Sequence, residues 1–346
     1  MKIFVDIGHP AQVHFFKHFV AEMSDRGHEI LVTARDKDVS IPLLTAYGIQ
    51  FKLVGQQTQN SNNIWEWLKR DIEITTLAHK FRPDVMVGLH NPCIAHAARL
   101  TGAKSVIFTD TEHAALASLL TFPVADFICT PECFHKNLGI KHTRFSGYKE
   151  LAYLHPNRFV PDSTSLEAIG ITKTDTFSVI RLVAWRAVHD TGQHGLSETD
   201  KLRLVRKLLE YGRVFVSSES PLPSGLESFR LDIPAEKLHD VLSFATLCVS
   251  EGGSTATEAA LLGTPSIHIS TTANRCGNFG ELQNIYKILF ATTDSSVTVR
   301  KAIEYIEQTG IKREWGRRRD RMLAEKSDVT SFMVEFITRV GNHEKI

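Results

Sequence analysis

The sequence predicts an α/β protein of two successive parallel-sheet domains, and three observations predict it. The chain has 346 residues, too many for one typical doubly wound domain and comfortable for two. Short apolar runs alternate with amphipathic stretches, the pattern of buried strands joined by crossover helices. That alternation breaks near residues 155–172 and then starts again. The expected division is 1–160 for the first domain, 161–326 for the second, and 327–346 for a C-terminal helix packing back on the first.

In the first half, IFVDI (3–7), EILVT (29–33), DVMVGL (84–89), KSVIFTD (104–110) and ADFICT (125–130) suit strands buried on both faces. Between the first two, Val13, Phe16, Val20 and Met23 recur at helical spacing, and Gly27 supplies a stop. The segment GYKELAYLHPNRFVPDSTSLEAIGITKTD, with its prolines and Ser/Thr/Asp clusters, reads as the boundary. Beyond it, FSVIRLVAW, GRVFVSS (212–218), FRLDI (229–233), TLCVS (246–250) and PSIHIS (265–270) repeat the strand pattern. The tail SDVTSFMVEFITRVG reads as an amphipathic helix capped by a serine, Ser327.

A hydrophobic content of 42% with 23% charged residues fits a globular chain with ordinary cores. The net charge of +1 lacks the electrostatic footprint of a nucleic-acid binder, so any anion site is local. Five cysteines without a C-x-x-C pair point to reduced, buried thiols and a cytoplasmic setting. Cys129 and Cys133 would otherwise be half of a metal site. No signal-peptide core or run of about 18 apolar residues stands out.

The most informative stretch is SEGGSTATEAALLGTPSIHIS (250–270), where a strand ends in a double glycine and opens a helix. Gly252 and Gly253 allow close backbone approach, while the N–H groups of Ser254, Thr255 and their neighbours and the helix dipole favour a diphosphate. Glu258 would accept from ribose hydroxyls. The competing reading is a capping box between Thr255 and Glu258, which needs no ligand. Neither G-x-x-x-x-G-K-[ST] nor G-x-G-x-x-G is present, which argues against ATPase and dehydrogenase chemistry.

Together GHPAQVHFFKH, LVAWRAVHDTGQHG and SEGGSTATEAALLGTP resemble the GT-B-like family called domain of unknown function 354. The wider resemblance, over the whole chain, is to GT-B glycosyltransferases and non-hydrolysing UDP-N-acetylglucosamine 2-epimerases. It implies two Rossmann-like domains facing across a cleft, with the nucleotide sugar on the second and the acceptor on the first. It also implies Gly252, Gly253, Ser254 and Thr255 on the diphosphate and Glu258 on the ribose.

Further candidates follow the strand ends, where open α/β sheets bind ligands. Arg181, Trp185, Arg186, His189 and Asp190 crowd one such end, suited to a leaving diphosphate or to the sugar; the alternative is a core Trp and a surface Arg. His9 resembles the histidine of a Gly-His turn in the family that makes the peptidoglycan lipid intermediate, which implies a base, although here one glycine precedes it and Pro10 follows. In FTDTEHAAL, Asp110, Glu112 and His113 resemble the acidic segment of the epimerases; Glu112 would equally suit a helix start. His14 and His18, at i and i+4, fit a packed pair better than a metal site. KREWGRRRDR (312–321) would suit a lipid-linked acceptor or an anionic membrane surface, or be a solvated helix face.

The leading expectation is a cofactor-free, metal-independent glycosyltransferase using a UDP-linked sugar, with His9 or Glu112 as base and a lipid-linked or polysaccharide acceptor. The alternative enzyme is a 2-epimerase using Asp110, Glu112 and His189. Its H-R-R-E-N segment is replaced here by WRAVHDTG. A non-catalytic sugar-nucleotide binding protein is the third reading.

Overall fold

The computed structural model describes residues 1–55, 64–112, 114–183, 194–218, 220–273 and 275–344. The chain forms two compact units, Met1–Arg158 with Ser327–Ile346, and Phe159–Lys326.

Unit 1 contains a fully parallel seven-stranded sheet. Its strands are β1 (Lys2–Ile7), β2 (Glu29–Ala34), β3 (Lys52–Leu53), β4 (Val85–Leu89), β5 (Lys104–Phe108), β6 (Phe127–Pro131) and β7 (His142–Phe145). They lie in the order β3-β2-β1-β4-β5-β6-β7. Strand β1 is inaccessible from Ile3 to Ile7 because helices cover both faces of a parallel sheet. The helices are α1 (Pro10–Asp25), α2 (Ser40–Ala46), α3 (Ile64–Phe81), α4 (Pro92–Thr101), α5 (Ala115–Thr121) and α6 (Leu151–Leu154).

Unit 2 has a five-stranded parallel sheet of β8 (Phe177–Leu182), β9 (Arg213–Ser218), β10 (Leu247–Ser250), β11 (Ser266–Ile269) and β12 (Leu289–Thr292), ordered β12-β11-β10-β8-β9. Its helices are α7 (Glu198–Leu208), α8 (Leu238–Phe244), α9 (Gly253–Leu261), α10 (Gly277–Glu281), α11 (Ser295–Glu307) and α12 (Ile311–Glu325).

The final helix, α13 (Val329–Gly341), belongs to unit 1 and lies against α1 and α6. Phe332 meets the rings of Phe108 and Phe145. Arg158 ties the helix start to α1 through Asp328 at 2.7 Å and Glu22 at 2.9 Å. The cap is Asp328, whose carboxylate accepts from Thr330 and Ser331 N–H. Ser327, the expected cap, instead donates to the carbonyl of Ser146.

FRLDI is not a strand. Glu227–Phe229 forms a tight 3₁₀ turn, and Arg230 makes only an isolated bridge to Val216 on the edge strand β9, with Pro234 soon after. Strands β3, β7 and β12 are absent from the expected set because they are short and lie at sheet edges, β3 exposed and the other two half-buried, so their sequences lack long apolar runs.

Candidate functional site

In a doubly wound sheet the crevice lies where consecutive connections leave in opposite directions. In unit 2 the chain passes from β8 to β9 on one side and returns to β10 on the other, so that point falls between β8 and β10. Arg181, near the carboxyl end of β8, and Gly252, just beyond β10, flank it.

Helix α9 starts here with Gly252 as its N-cap, φ −87° and ψ 124°, and no side chain caps it. The capping box between Thr255 and Glu258 is therefore not formed. Gly252 N–H donates to Ser250 Oγ at 3.1 Å and the same hydroxyl donates to the Gly252 carbonyl at 2.7 Å, which shapes the turn. The first-turn N–H groups of Gly253, Ser254 and Thr255 receive no side-chain acceptor from a cap, which leaves the positive end of the helix dipole available to an anion.

Gly253 has a structural reason as well. A Cβ there would stand 2.6 Å from Phe279 Cζ, so a bulky residue disrupts packing whether or not a ligand binds. Phe279 also lies 4.6 Å, centroid to centroid, from His268, which is buried and bonded to the Ser250 carbonyl at 3.1 Å. Burial lowers His268 to about 4.

Glu258 does not face outward. Every residue of α9 from Thr255 to Leu261 is buried, and the Glu258 carboxylate lies 3.2 Å from His239 Nε2. The expectation that Glu258 holds a ribose meets a side chain already engaged inside the unit. Arg181 donates to Ser217 Oγ at 2.7 Å. Trp185, Arg186, His189 and Asp190 lie outside the described residues, as does His113.

A residue passed over in the sequence is Glu251. Its side chain is inaccessible and accepts from Val183 N–H and Leu196 N–H, each at 2.9 Å. Its own N–H donates to the Arg181 carbonyl at 2.9 Å. Gly195 is required against it, since a Cβ would meet the carboxylate at 2.6 Å. Glu251 thus joins the glycine turn to the end of β8. An acidic residue directly before the double glycine was the available signal.

In unit 1 the equivalent point lies between β1 and β4. Beneath it Asp6, fully buried, accepts from Thr33 Oγ1 (2.7 Å), Arg70 Nη2 (2.6 Å) and Asn91 Nδ2 (2.5 Å). Burial opposes the Arg70 charge, and Asp6 reverses that effect and holds the guanidinium above its ordinary range. Gln12 spans the crevice: its Oε1 accepts from Gly8 N–H at 2.7 Å and its Nε2 donates to the Leu89 carbonyl at 3.2 Å. His9 is the N-cap of α1, and its Nδ1 accepts from Ala11 N–H at 3.2 Å.

Asp110 pairs with the half-buried Lys149 at 2.6 Å, and Lys149 also meets Glu150 at 3.1 Å. Burial opposes the Lys149 charge, but the two carboxylates hold it above its ordinary value. Glu112 is buried, with Oε1 accepting from His135 N–H at 3.4 Å and its carbonyl accepting from Lys136 at 2.9 Å. His14 bonds Tyr47 Oη at 3.1 Å and stacks on Tyr153. Burial, then Lys17 and Arg158, lower His18 to about 4. Cys129 is buried, and burial pushes its thiol up. Among the described residues no group of three or more His, Cys, Asp or Glu side chains is placed to hold a metal.

The basic run on α12 is largely engaged within unit 2. Lys312 donates to the Ser243 carbonyl, Trp315 to the Ile288 carbonyl and Arg318 to the Lys287 carbonyl. Arg313 and Arg317 face outward, a smaller footing for an anionic surface than the sequence offered. Among the described residues no helix is long and apolar enough to cross a membrane.

The chain belongs to the family described as a protein of unknown function, DUF354, which matches residues 1–205. An uncharacterised protein of Methanocaldococcus jannaschii is 22% identical over 279 residues, 77% of this chain and 81% of that protein. Among solved structures, the S. aureus MnaA–UDP complex aligns with a TM-score of 0.70 at 13% identity, covering 100% of this chain and 99% of that one. The spinosyn rhamnosyltransferase SpnG with thymidine diphosphate gives 0.61 at 16%, covering 98% and 100%. The UDP-GlcNAc 2-epimerase of Methanocaldococcus jannaschii gives 0.61 at 13%, covering 89% and 94%. The fold is therefore GT-B-like α/β with two Rossmann-like units, an architecture that glycosyltransferases and UDP-sugar epimerases share.

Proposed function

We propose that the chain is a glycosyltransferase that holds a nucleotide diphosphate sugar, UDP-linked, on unit 2 and an acceptor on unit 1. The observation that carries this reading is the start of α9: a glycine N-cap without a side-chain cap, at the topological switch point, with Arg181 across it. The N–H groups of Gly253 to Thr255 would bind the diphosphate and, with Arg181, stabilise it as a leaving group. Preorganised donors of this kind contribute about 3 kcal/mol each to a transition state. No metal is needed for that role.

The acceptor hydroxyl would attack the anomeric carbon while Glu112 takes its proton. A lipid-linked sugar or a polysaccharide fits this role, in cytoplasmic polysaccharide or glycoconjugate synthesis. An epimerase would need Asp110 as a working acid or base, and that carboxylate is held by Lys149 at 2.6 Å. This favours transfer over epimerisation, as does the absence of H-R-R-E-N.

The fate of the sugar's C2 proton tests the choice. A nucleotide sugar is first selected by thermal stabilisation, where a ligand at about 100 times its Kd adds about 2.7 kcal/mol. Proton NMR in heavy water then follows that sugar with the protein and no acceptor. Transfer predicts an intact C2 proton and nucleotide release that depends on an acceptor. Exchange at C2 that disappears in Glu112→Gln would instead establish epimerisation.

A further inference from the structure

The parallel ladder between β8 and β10 ends with Ser250 opposite Arg181, and Glu251 N–H then donates to the Arg181 carbonyl at 2.9 Å. The next rung of that pattern would take Val183 N–H to the carbonyl of Glu251. It goes instead to the side chain of the same residue, Oε2 at 2.9 Å. The backbone of β10 is thereby released to turn at Gly252, while the end of β8 keeps a partner for a donor that burial would otherwise leave unpaired. The other carboxylate oxygen, Oε1, accepts from Leu196 N–H at 2.9 Å, where the connection from β8 returns towards α7. One inaccessible side chain thus holds the glycine turn, the end of β8 and the approach to α7 together. Gly195 leaves room for it, since a Cβ there would stand 2.6 Å from both Cγ and Oε1 of Glu251.

The sign of its charge sets Glu251 apart from the donors of the turn. A carboxylate one residue before Gly252 repels an anion at the start of α9. Lys201 Nζ stands 3.9 Å from Oε1 and is shared with Glu198 at 3.0 Å. By charge alone Glu251 opposes a diphosphate; by the bonds it accepts it shapes the place where a diphosphate would sit.

We infer that Glu251 is a positioning residue for nucleoside diphosphate binding. By replacing a backbone rung it sets the Gly252 turn, and with it the first N–H groups of α9, against the strand end that carries Arg181. The affinity for the nucleotide then depends on a side chain that does not touch it. The inference rests on the proposed reading of the α9 start as the diphosphate site.

Calorimetric titration of the full chain with UDP tests it in three variants, each below its melting temperature. Glu251→Gln keeps the shape and one acceptor oxygen, but turns an amide N–H group towards a backbone N–H and removes the charge. Gly195→Ala keeps the charge and displaces the carboxylate. Leu208→Ala truncates a buried side chain at the end of α7, shortly before β9 begins and so at the opposite edge of the sheet, and serves as a loss of stability that leaves the turn alone. The UDP Kd is expected to weaken at least about tenfold in both Glu251→Gln and Gly195→Ala, and to stay within about twofold of wild type in Leu208→Ala. Charge alone predicts the opposite sign for Glu251→Gln, a tighter complex. Unchanged or tighter binding in either of the first two variants, or an equal loss in Leu208→Ala, overturns the inference and leaves the diphosphate reading standing. If Glu251→Gln does not fold, Gly195→Ala decides alone. A wild-type chain that does not bind UDP overturns that reading and the inference with it.

Discussion

The two units present the same topological feature in opposite states. In unit 1 the helix after β1 starts under its own side chain: His9 caps it, Pro10 has no N–H to offer, and Gln12 bridges the crevice. In unit 2 the helix after β10 starts at a glycine with no side-chain cap. Both helices begin at a switch point, and both carry the same dipole. Only the second leaves its first-turn donors to an outside anion. Topology marks the same kind of position in both units, and on the proposed reading the residue at the cap position decides which of them suits a diphosphate.

Buried charges are compensated in both units, in unit 2 by Glu258 beside His239 and by the N–H groups on Glu251. Unit 1 compensates its own, in Asp6 with Arg70 and in Asp110 with Lys149 and Glu150. Replacing Lys149 with Met should have the largest effect on stability, because Asp110 and the buried Glu150 lose their cation. Removing one partner of such a group costs about 3–5 kcal/mol. Denaturant unfolding that finds less than about 1 kcal/mol would mean that these carboxylates are not committed to structure and that Asp110 is available for chemistry.

Acid should act on both cores next. His268 in unit 2 is lowered by burial from 6.5 to about 4. The unfolded chain then binds the additional proton first, so its contribution is present above pH 6.5 and is lost as pH falls towards 4. A shift of this size corresponds to up to about 3 kcal/mol. His18 in unit 1 titrates in the same direction, and is less deeply buried. The pH slope of unfolding between 6.5 and 4 should become shallower in His268→Gln; an unchanged slope would place the acid sensitivity elsewhere.

The smallest effect concerns the cap in unit 1. His9→Ala should cost about 1 kcal/mol in stability, as for other caps. A loss of several kcal/mol would mean that His9 holds more of unit 1 than the start of α1.

Much of this is legible in the sequence. The strands β1, β2, β4, β5, β8 and β10 announce themselves because parallel strands buried on both faces are continuous apolar runs. Short edge strands such as His142–Phe145 carry no such signal. The glycine turn at 252 and 253 is also visible, whereas the burial of Glu258 beside His239 is not. The string STATEAALLG is small and apolar on nearly every side, which is the mark of a helix buried all round. Asp6 and Arg70, 64 residues apart, meet only through the crossing of β1 and α3, and nothing local connects them. The cap made by His9 was within reach, since the residue before a helix-opening proline is the N-cap. What local sequence does not supply is whether that side chain turns back to its own backbone.

The comparison between the units is tested most directly by calorimetric titration of UDP in the presence of a chelator, with the wild-type chain and Gly252→Asp. The backbone at Gly252 is open to any residue, and a Cβ there would lie 3.3 Å from Val183 Cγ2, a contact that a small side-chain shift relieves. An aspartate would cap α9 as His9 caps α1 and would place a negative charge at the proposed diphosphate position. The account predicts metal-free binding to the wild type and a Kd at least about 100-fold weaker in Gly252→Asp, about 2.7 kcal/mol, with the melting temperature maintained. Unchanged UDP affinity in Gly252→Asp, or wild-type binding that appears only after magnesium is restored, would contradict it.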